Sequence, residues 1–124
     1  APARRLGTRP FPPFPALFFF CVMHSRFSLS GALFAAMDAH ASHPSTFTEG
    51  VSLQVRCADQ PEIDAFWSKL TAGGAESQCG WCKDRFGVSW RVIPANIGGL
   101  LRSPSAVQAM LGMKKLDIAA LERA

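Results

Sequence analysis

SQCGWCKDRFGVSWRVIP, residues 77–94, is the stretch on which the fold turns. A strand near 76–81 leads into a tight turn through 83–87, and a second strand over 88–93 is stopped by Pro94. The same stretch contains Cys79-Gly80-Trp81-Cys82, a C-x-x-C with redox or metal chemistry open to it. A redox C-x-x-C works because its first thiol sits at a helix N-terminus, which lowers its pKa. Here Lys83, Asp84 and a strand follow, so no helix dipole serves the thiol. A zinc knuckle needs a second cysteine pair, and Cys21 and Cys57 have no such spacing. Cys79 is read as a small buried residue and Cys82 as incidental, so the strand–turn–strand reading stands.

Upstream, residues 51–57 alternate, with Val51, Leu53 and Val55 on one face and Ser52, Gln54 and Arg56 on the other, as in a half-buried strand. A helix follows. Asp59 is its N-cap, Glu62 sits at capping-box spacing, and Pro61 lies in the first turn, where a missing N–H is tolerated. Ile63, Phe66, Trp67 and Leu70 form one apolar stripe, and Gly73-Gly74 ends it. Further back, 22–37 reads as two strands around a turn at Ser30-Gly31, and the apolar run 32–37 suits a strand buried on both faces. Residues 38–50 are a polar loop. Downstream, Ser103-Pro104 starts a helix with Val107, Met110 and Leu111 as its face, and a last short helix starts at Asp117, carrying Ile118 and Leu121. This order of strands and helices predicts an α+β fold.

The chain of 124 residues bounds one domain with a modest core. Its net charge of +4 is localised: residues 1–37 hold Arg4, Arg5, Arg9 and Arg26 and no acid, and the nine Lys/Arg and nine Asp/Glu beyond cancel. A nucleic-acid binder should show a basic stripe on a folded face, so nucleic acid is not an expected partner. The head, residues 1–21, is proline-rich and matches nothing that follows. It reads as a disordered arm, a targeting segment or a start that is not authentic. Its apolar block is far short of the ~20 residues that cross a bilayer, so no membrane partner is expected. Four irregularly spaced cysteines lean towards reduced thiols in a cytoplasm.

Residues 22–124 carry VMHSRFSLSG, AAMDAH, VSLQVRCADQPEIDAFWSKLTAGG, ESQCGWCKDRFGVSWRVIP and AVQAMLGMKKLDIAALERA in order. Together they resemble the PhnB-like branch of the vicinal-oxygen-chelate superfamily, which includes glyoxalase I, bleomycin-resistance proteins and extradiol dioxygenases. The branch bears the label 3-demethylubiquinone 3-methyltransferase-like. The resemblance implies paired βαβββ modules whose sheets curl around a cup. Residues 51–94 would be the complete second module and 22–38 the last two strands of a first module, truncated here. An incomplete module leaves an open edge and an uncovered apolar face, which favours a homodimer.

Metal-using members of the superfamily place His, Gln or Glu on the cup-facing strands. The resemblance puts two of those positions at Ser52, a poor ligand, and Arg91, which cannot ligate. A third falls within 32–37, which holds no His or carboxylate. No metal and no cofactor are therefore expected. His40-x-x-His43, near Asp38 and Glu49, is the other cluster with ligand chemistry, and it reads as solvated loop histidines. Ser52, Gln54, Arg56, Ser89 and Arg91 remain on the non-helix faces of two strands. Ser52, Gln54, Ser89 and Arg91 are the candidate ligand-binding residues, because arginine there clamps a carboxylate or phosphate. Trp81 and Trp90 read as core or interface aromatics. No Ser-His-Asp arrangement and no nucleotide-binding glycine loop is present, so no catalytic residue is assigned. The expected function is metal-free binding of a small, anionic molecule in a homodimer. The rivals are a glyoxalase-type metal enzyme and a self-associating relic without activity.

Overall fold

The computed structural model describes residues 22–39 and 42–124. The head 1–21, with Cys21, and His40 lie outside the described residues. The described residues divide into two compact units, one ending at Pro44 and one running from Ser45 to Ala124.

In the first unit, β1 (Ser25–Leu29) and β2 (Ala32–Ala36) make an antiparallel hairpin with Phe27 opposite Phe34. The two rings stack at 5.5 Å, and Ser30 and Gly31 form the connecting turn with φ of +49° and +83°. Two successive positive φ values match the right-handed twist of the strands, which is why a Ser-Gly pair suffices. Val22 N–H donates to Asp38 Oδ2 at 2.7 Å and Asp38 N–H donates to the Val22 carbonyl at 2.9 Å, closing the open end. The apolar run 32–37 does not lie buried on both faces as its composition predicts, for Leu33 is 85% exposed. A two-stranded ribbon has no layer of its own to cover either side.

The second unit contains β3 (Ser52–Cys57), α1 (Gln60–Thr71), β4 (Ala75–Glu76), β5 (Trp81–Lys83) and β6 (Ser89–Pro94). Three short helices complete it: α2 (Ile97–Leu100), α3 (Pro104–Leu111) and α4 (Ile118–Arg123). The sheet order is β3-β6-β5-β4, parallel between β3 and β6 and antiparallel elsewhere. This is the α+β, βαβββ arrangement that the resemblance implies. One face of the sheet packs on α1, where Ile63 and Trp67 meet Cys57, Cys82 and Val92, with Val55, Leu70, Trp90 and Ile118 around them. Phe66, expected on the same stripe, lies on its flank and stays exposed.

Helix α1 begins as its sequence predicts. Asp59 Oδ1 accepts from Glu62 N–H at 3.0 Å, and Glu62 Oε2 accepts from Ala58 N–H at 2.6 Å. Ser103 and Asp117 likewise cap α3 and α4 through Ala106 N–H and Ala120 N–H. The Gln60 amide receives from Ile118 N–H and donates to the Leu116 carbonyl, so the start of α1 grips the C-terminal segment. The α2 turn was not predicted, since IGGL carries two glycines and no side-chain cap.

The single strand expected over 76–81 is two strands. Cys79 and Gly80 adopt φ of +58° and +81°, and Trp81 N–H donates to the Gln78 carbonyl, so residues 77–80 join β4 to β5 in a tight hairpin turn with Cys79-Gly80 at its tip. A Cβ on Gly80 would sit 2.5 Å from the Val92 carbonyl oxygen, so glycine is required there. The N–H groups of Cys79 and Gly80 donate to the Met113 and Lys114 carbonyls at 2.7 and 2.8 Å, tying the tail to the turn. The cysteine reading is corrected accordingly. Cys79 is half-exposed at the turn, whereas Cys82 is 2% exposed and belongs to the core. Burial, and then the charges of Asp84 and Glu76, push the Cys82 thiol up to about 11. Burial, then Glu62 and Asp59, push Cys57 up to about 11 as well.

Asp84 holds the β5–β6 turn. Its Oδ1 accepts from Phe86 N–H and Val88 N–H at 2.9 and 3.0 Å, and its Oδ2 accepts from Trp90 Nε1–H at 2.9 Å. Burial alone would raise its pKa, but the bonds from Trp90, Phe86, Val88 and Gly87 together hold it below the ordinary 3.8.

Two outcomes follow. A folded pKa below the unfolded one contributes stability that is full above the ordinary value and lost as pH falls through the depressed one. Asp84→Ala should therefore cost about 2 kcal/mol near neutral pH. The gap between the urea-unfolding curves of variant and wild type should narrow in acid, and a gap at pH 2 as wide as at neutral pH would contradict this. In native protein, an alkylating reagent followed by mass spectrometry should label Cys79 well before Cys57 or Cys82. Equal rates at Cys79 and Cys82 would count against the turn-and-core assignment.

Candidate functional site

The face of the four-stranded sheet opposite α1 is built by parity and register. Side chains alternate along each strand, so residues two apart share a face, and directly paired residues on neighbouring strands share it too. The pairing sets Ser52 beside Ser89 and Gln54 beside Arg91. On the other side of β6, Lys83 lies beside Ser89 and Trp81 beside Arg91. The four candidate residues Ser52, Gln54, Ser89 and Arg91 thus occupy two adjacent rungs, extended by Lys83 and Trp81. Neighbouring strands in such a sheet are about 4.8 Å apart and rungs two residues apart about 7 Å.

Ser89 is 3% exposed, and its Oγ has no hydrogen-bond partner. Arg91 Nε is likewise buried and without a partner. Among the described residues these are the two side-chain polar atoms in that condition. They lie on one face, two residues apart on one strand. A buried donor or acceptor left unpaired costs on the order of 1–3 kcal/mol, so such atoms are rare in native proteins unless something else completes them. The Arg91 guanidinium carbon lies 5.5 Å from the centre of the Trp81 ring, and this cation–π contact fixes the orientation of its head. Trp81 therefore stands on the open face beside Arg91, and Trp90 packs on the helix side. Arg56 donates through Nη2 to the Ala95 carbonyl at 2.6 Å, and Gln54 is exposed.

Two cavities open on this face, and both reach Ser89. One, of about 410 Å³, is lined by Glu49, Ser77, Trp81, Lys83 and Ser89 among others. The second, of about 390 Å³, is lined by Phe47, Thr48, Val51, Ser52, Leu53 and Ser89 among others. Arg91 and Gln54 line neither and lie on the next rung. The segment 46–51 thus contributes to both cavities, and Glu49 pairs with Lys83 at 2.7 Å. That hydrogen bond, and then the Lys83 charge, hold the Glu49 carboxyl below its ordinary value. Sequence periodicity marks Ser89 and Arg91 but is blind to Lys83 and Glu49. Only the strand register and the path of the loop bring those two to the site.

The two positions at which the resemblance would place metal ligands are Ser52 and Arg91; a serine hydroxyl is a poor ligand and an always-charged guanidinium repels a cation, so these two residues do not suit a divalent metal. Among the described residues no three His, Cys, Asp or Glu side chains converge on one point. His43 is described, but its partner in the loop pair, His40, is not. No described helix is long and apolar enough to cross a membrane.

Two solved structures are similar to this chain. A PhnB protein from Bacillus cereus, described as a 3-demethylubiquinone-9 3-methyltransferase, aligns at 34% identity and a TM-score of 0.56 over 59% of this chain and 65% of that one. Protein PA1353 from Pseudomonas aeruginosa aligns at 26% identity and a TM-score of 0.55 over 67% of this chain and 71% of that one. This chain therefore spans a little under two thirds of the Bacillus cereus relative. No curated relative matches. The family profile of 3-demethylubiquinone-9 3-methyltransferase matches residues 20–93, which include the hairpin and all but the last residue of the βαβββ module. With its module, its turns and well over half its length in that match, the chain belongs to the PhnB-like 3-demethylubiquinone-9 3-methyltransferase family.

Proposed function

We propose that the open face of the sheet binds a small anionic molecule, with Arg91 as its cation and Ser89, Ser52 and Gln54 as hydrogen-bonding neighbours. The observation that carries this is the pair of buried, unpartnered atoms, Ser89 Oγ and Arg91 Nε, on one strand face. An oxyanion supplies what both lack: an acceptor for the guanidinium N–H and a partner for the hydroxyl. Binding needs no metal, since the two superfamily ligand positions on this sheet are Ser52 and Arg91. The glyoxalase-type rival requires a stoichiometric divalent ion. Its presence in purified protein by elemental analysis would favour that rival.

The methyl transfer named in the family's description is not part of this proposal. A nucleoside-type methyl donor uses a glycine-rich turn between a strand and an open helix N-terminus. Here the β3–α1 connection is Ala58-Asp59, and the Asp59 and Glu62 side chains already bond the N–H groups of Glu62 and Ala58. The proposal also includes a homodimer in a reducing, cytoplasmic compartment. The exposed apolar side chains Phe27, Leu29, Leu33 and Met37 and the outer edge of β3 support the first. The free thiols of Cys57, Cys79 and Cys82 support the second. Light scattering should give twice 13.4 kDa, and a monodisperse single-chain mass would contradict the dimer.

The site makes an opposed pair of expectations for Ser89→Ala. Removing an unpartnered hydroxyl should leave the fold as stable or raise its stability by about 1 kcal/mol. It should also weaken binding of succinate, used as the probe, in calorimetric titration. Arg91→Gln should weaken the same binding by about tenfold or more. Succinate binding equal to wild type in both variants would overturn the proposal. So would a Ser89→Ala protein that loses stability, because the hydroxyl would then have a structural partner.

A further inference from the structure

We infer that Lys83 is the second cation of this site, held by Glu49 as an internal carboxylate, and that the ligand is a dicarboxylate which displaces Glu49. The inference rests on the anion-site reading above and deepens it from an anion to a ligand class.

The geometry begins with the sheet register. Lys83 pairs with Ser89 and Trp81 with Arg91, so Lys83 and Arg91 are diagonal neighbours on one face of an antiparallel pair. Such diagonal positions are about 7–8 Å apart, with Ser89 at the corner between them. Two cations anchored at that separation suit a short chain with a carboxylate at each end, one end on Lys83 and the other on Arg91. Trp81 walls the remaining corner and already stacks on Arg91.

The two cations differ in what they now hold. Arg91 has no carboxylate partner among the described residues, whereas Lys83 Nζ contacts Glu49 Oε1 at 2.7 Å. Glu49 belongs to the segment 46–51, whose residues line both cavities. Its carboxylate stands where one end of a dicarboxylate would bind, and its loop runs past the buried Ser89 hydroxyl. Both members of the pair are solvent-exposed, at 44% and 76% of side-chain area, so the contact is screened and easily exchanged for another carboxylate. Replacing Glu49 with the ligand costs no unpaired charge at Lys83, because one carboxylate takes the place of another. The freed loop then leaves both cavities open towards Ser89.

The test is calorimetric titration with succinate and with acetate, using wild type, Glu49→Gln, Lys83→Gln, the double variant and Arg91→Gln. Glu49→Gln should bind succinate about fivefold tighter, because the protein no longer spends most of its time with Lys83 occupied. Lys83→Gln should weaken succinate about tenfold while leaving acetate nearly unchanged, since a monocarboxylate uses Arg91 alone. In the double variant the gain from Glu49→Gln should vanish, which isolates the coupling between the two residues. Both residues are exposed, and thermal unfolding should confirm that each variant folds as wild type does. If Arg91→Gln weakens succinate but Glu49→Gln does not tighten it, the role of Lys83 and Glu49 is wrong and the Arg91–Ser89 site stands. If succinate binds Arg91→Gln as it binds wild type, the anion site itself falls and this inference falls with it.

Discussion

The parallel pairing of β3 with β6 is the constraint on which the second unit depends. The first and last strands of the βαβββ module lie side by side, from Ser52 opposite Ser89 to Cys57 opposite Pro94. Parallel neighbours cannot be joined by a tight turn, so the chain between them must cross over. Helix α1 and the β4–β5 hairpin fill that crossing. Once the register is set, every side chain of the sheet is assigned to one of two environments. Leu53, Val55, Trp90 and Val92 go to the side of α1, and Ser52, Gln54, Ser89 and Arg91 go to the open side. A slip of one residue would bury the arginine against α1 and expose Val92, which is why the register is strongly specified.

The turns make that sheet tight and leave its open face incomplete. Gly80 lets β5 approach Val92 closely, the tail at Met113 and Lys114 satisfies the turn's N–H groups, and Asp84 fixes the next turn together with Trp90. The N–H groups of Cys79, Gly80, Trp81, Phe86, Gly87 and Val88 at these turns all have partners. Ser89 and Arg91, by contrast, are held in the same rigid frame with atoms left over. Unpaired buried groups of this kind lower the stability of the empty protein, and a ligand that pairs them removes that cost. On the proposed reading, the residues that hold the fold are thus distinct from the residues that meet a ligand.

Much of this was legible in the sequence because it is local. The capping box of Asp59 and Glu62, the Ser30-Gly31 turn, the stripe through Ile63 and Trp67 and the alternation of 51–57 each depend on neighbours a few residues away. Period-two alternation also placed Ser52 and Gln54 on one face and Ser89 and Arg91 on one face. It could not say that these two faces adjoin, which is a matter of parallel register. The break between β4 and β5, which the βαβββ resemblance implies, escaped the pattern reading because Cys79 takes a positive φ that few non-glycine residues adopt, and only the Gly80 beside it hints at a turn. Glu49 and Lys83 are 34 positions apart in sequence, so their ion pair has no local signature. The apolar run of β2 misled because composition reports what a strand could bury and is silent on whether a second layer exists.

The most direct measurement is a crystal structure of the protein grown or soaked with succinate, compared with one of the same crystals without it. The anion site requires a carboxylate within hydrogen-bond distance of both Ser89 Oγ and Arg91 Nε, with density absent or replaced by water in the unsoaked crystal. A succinate bound elsewhere, or an unchanged water joining Ser89 to Arg91 in both crystals, would contradict it.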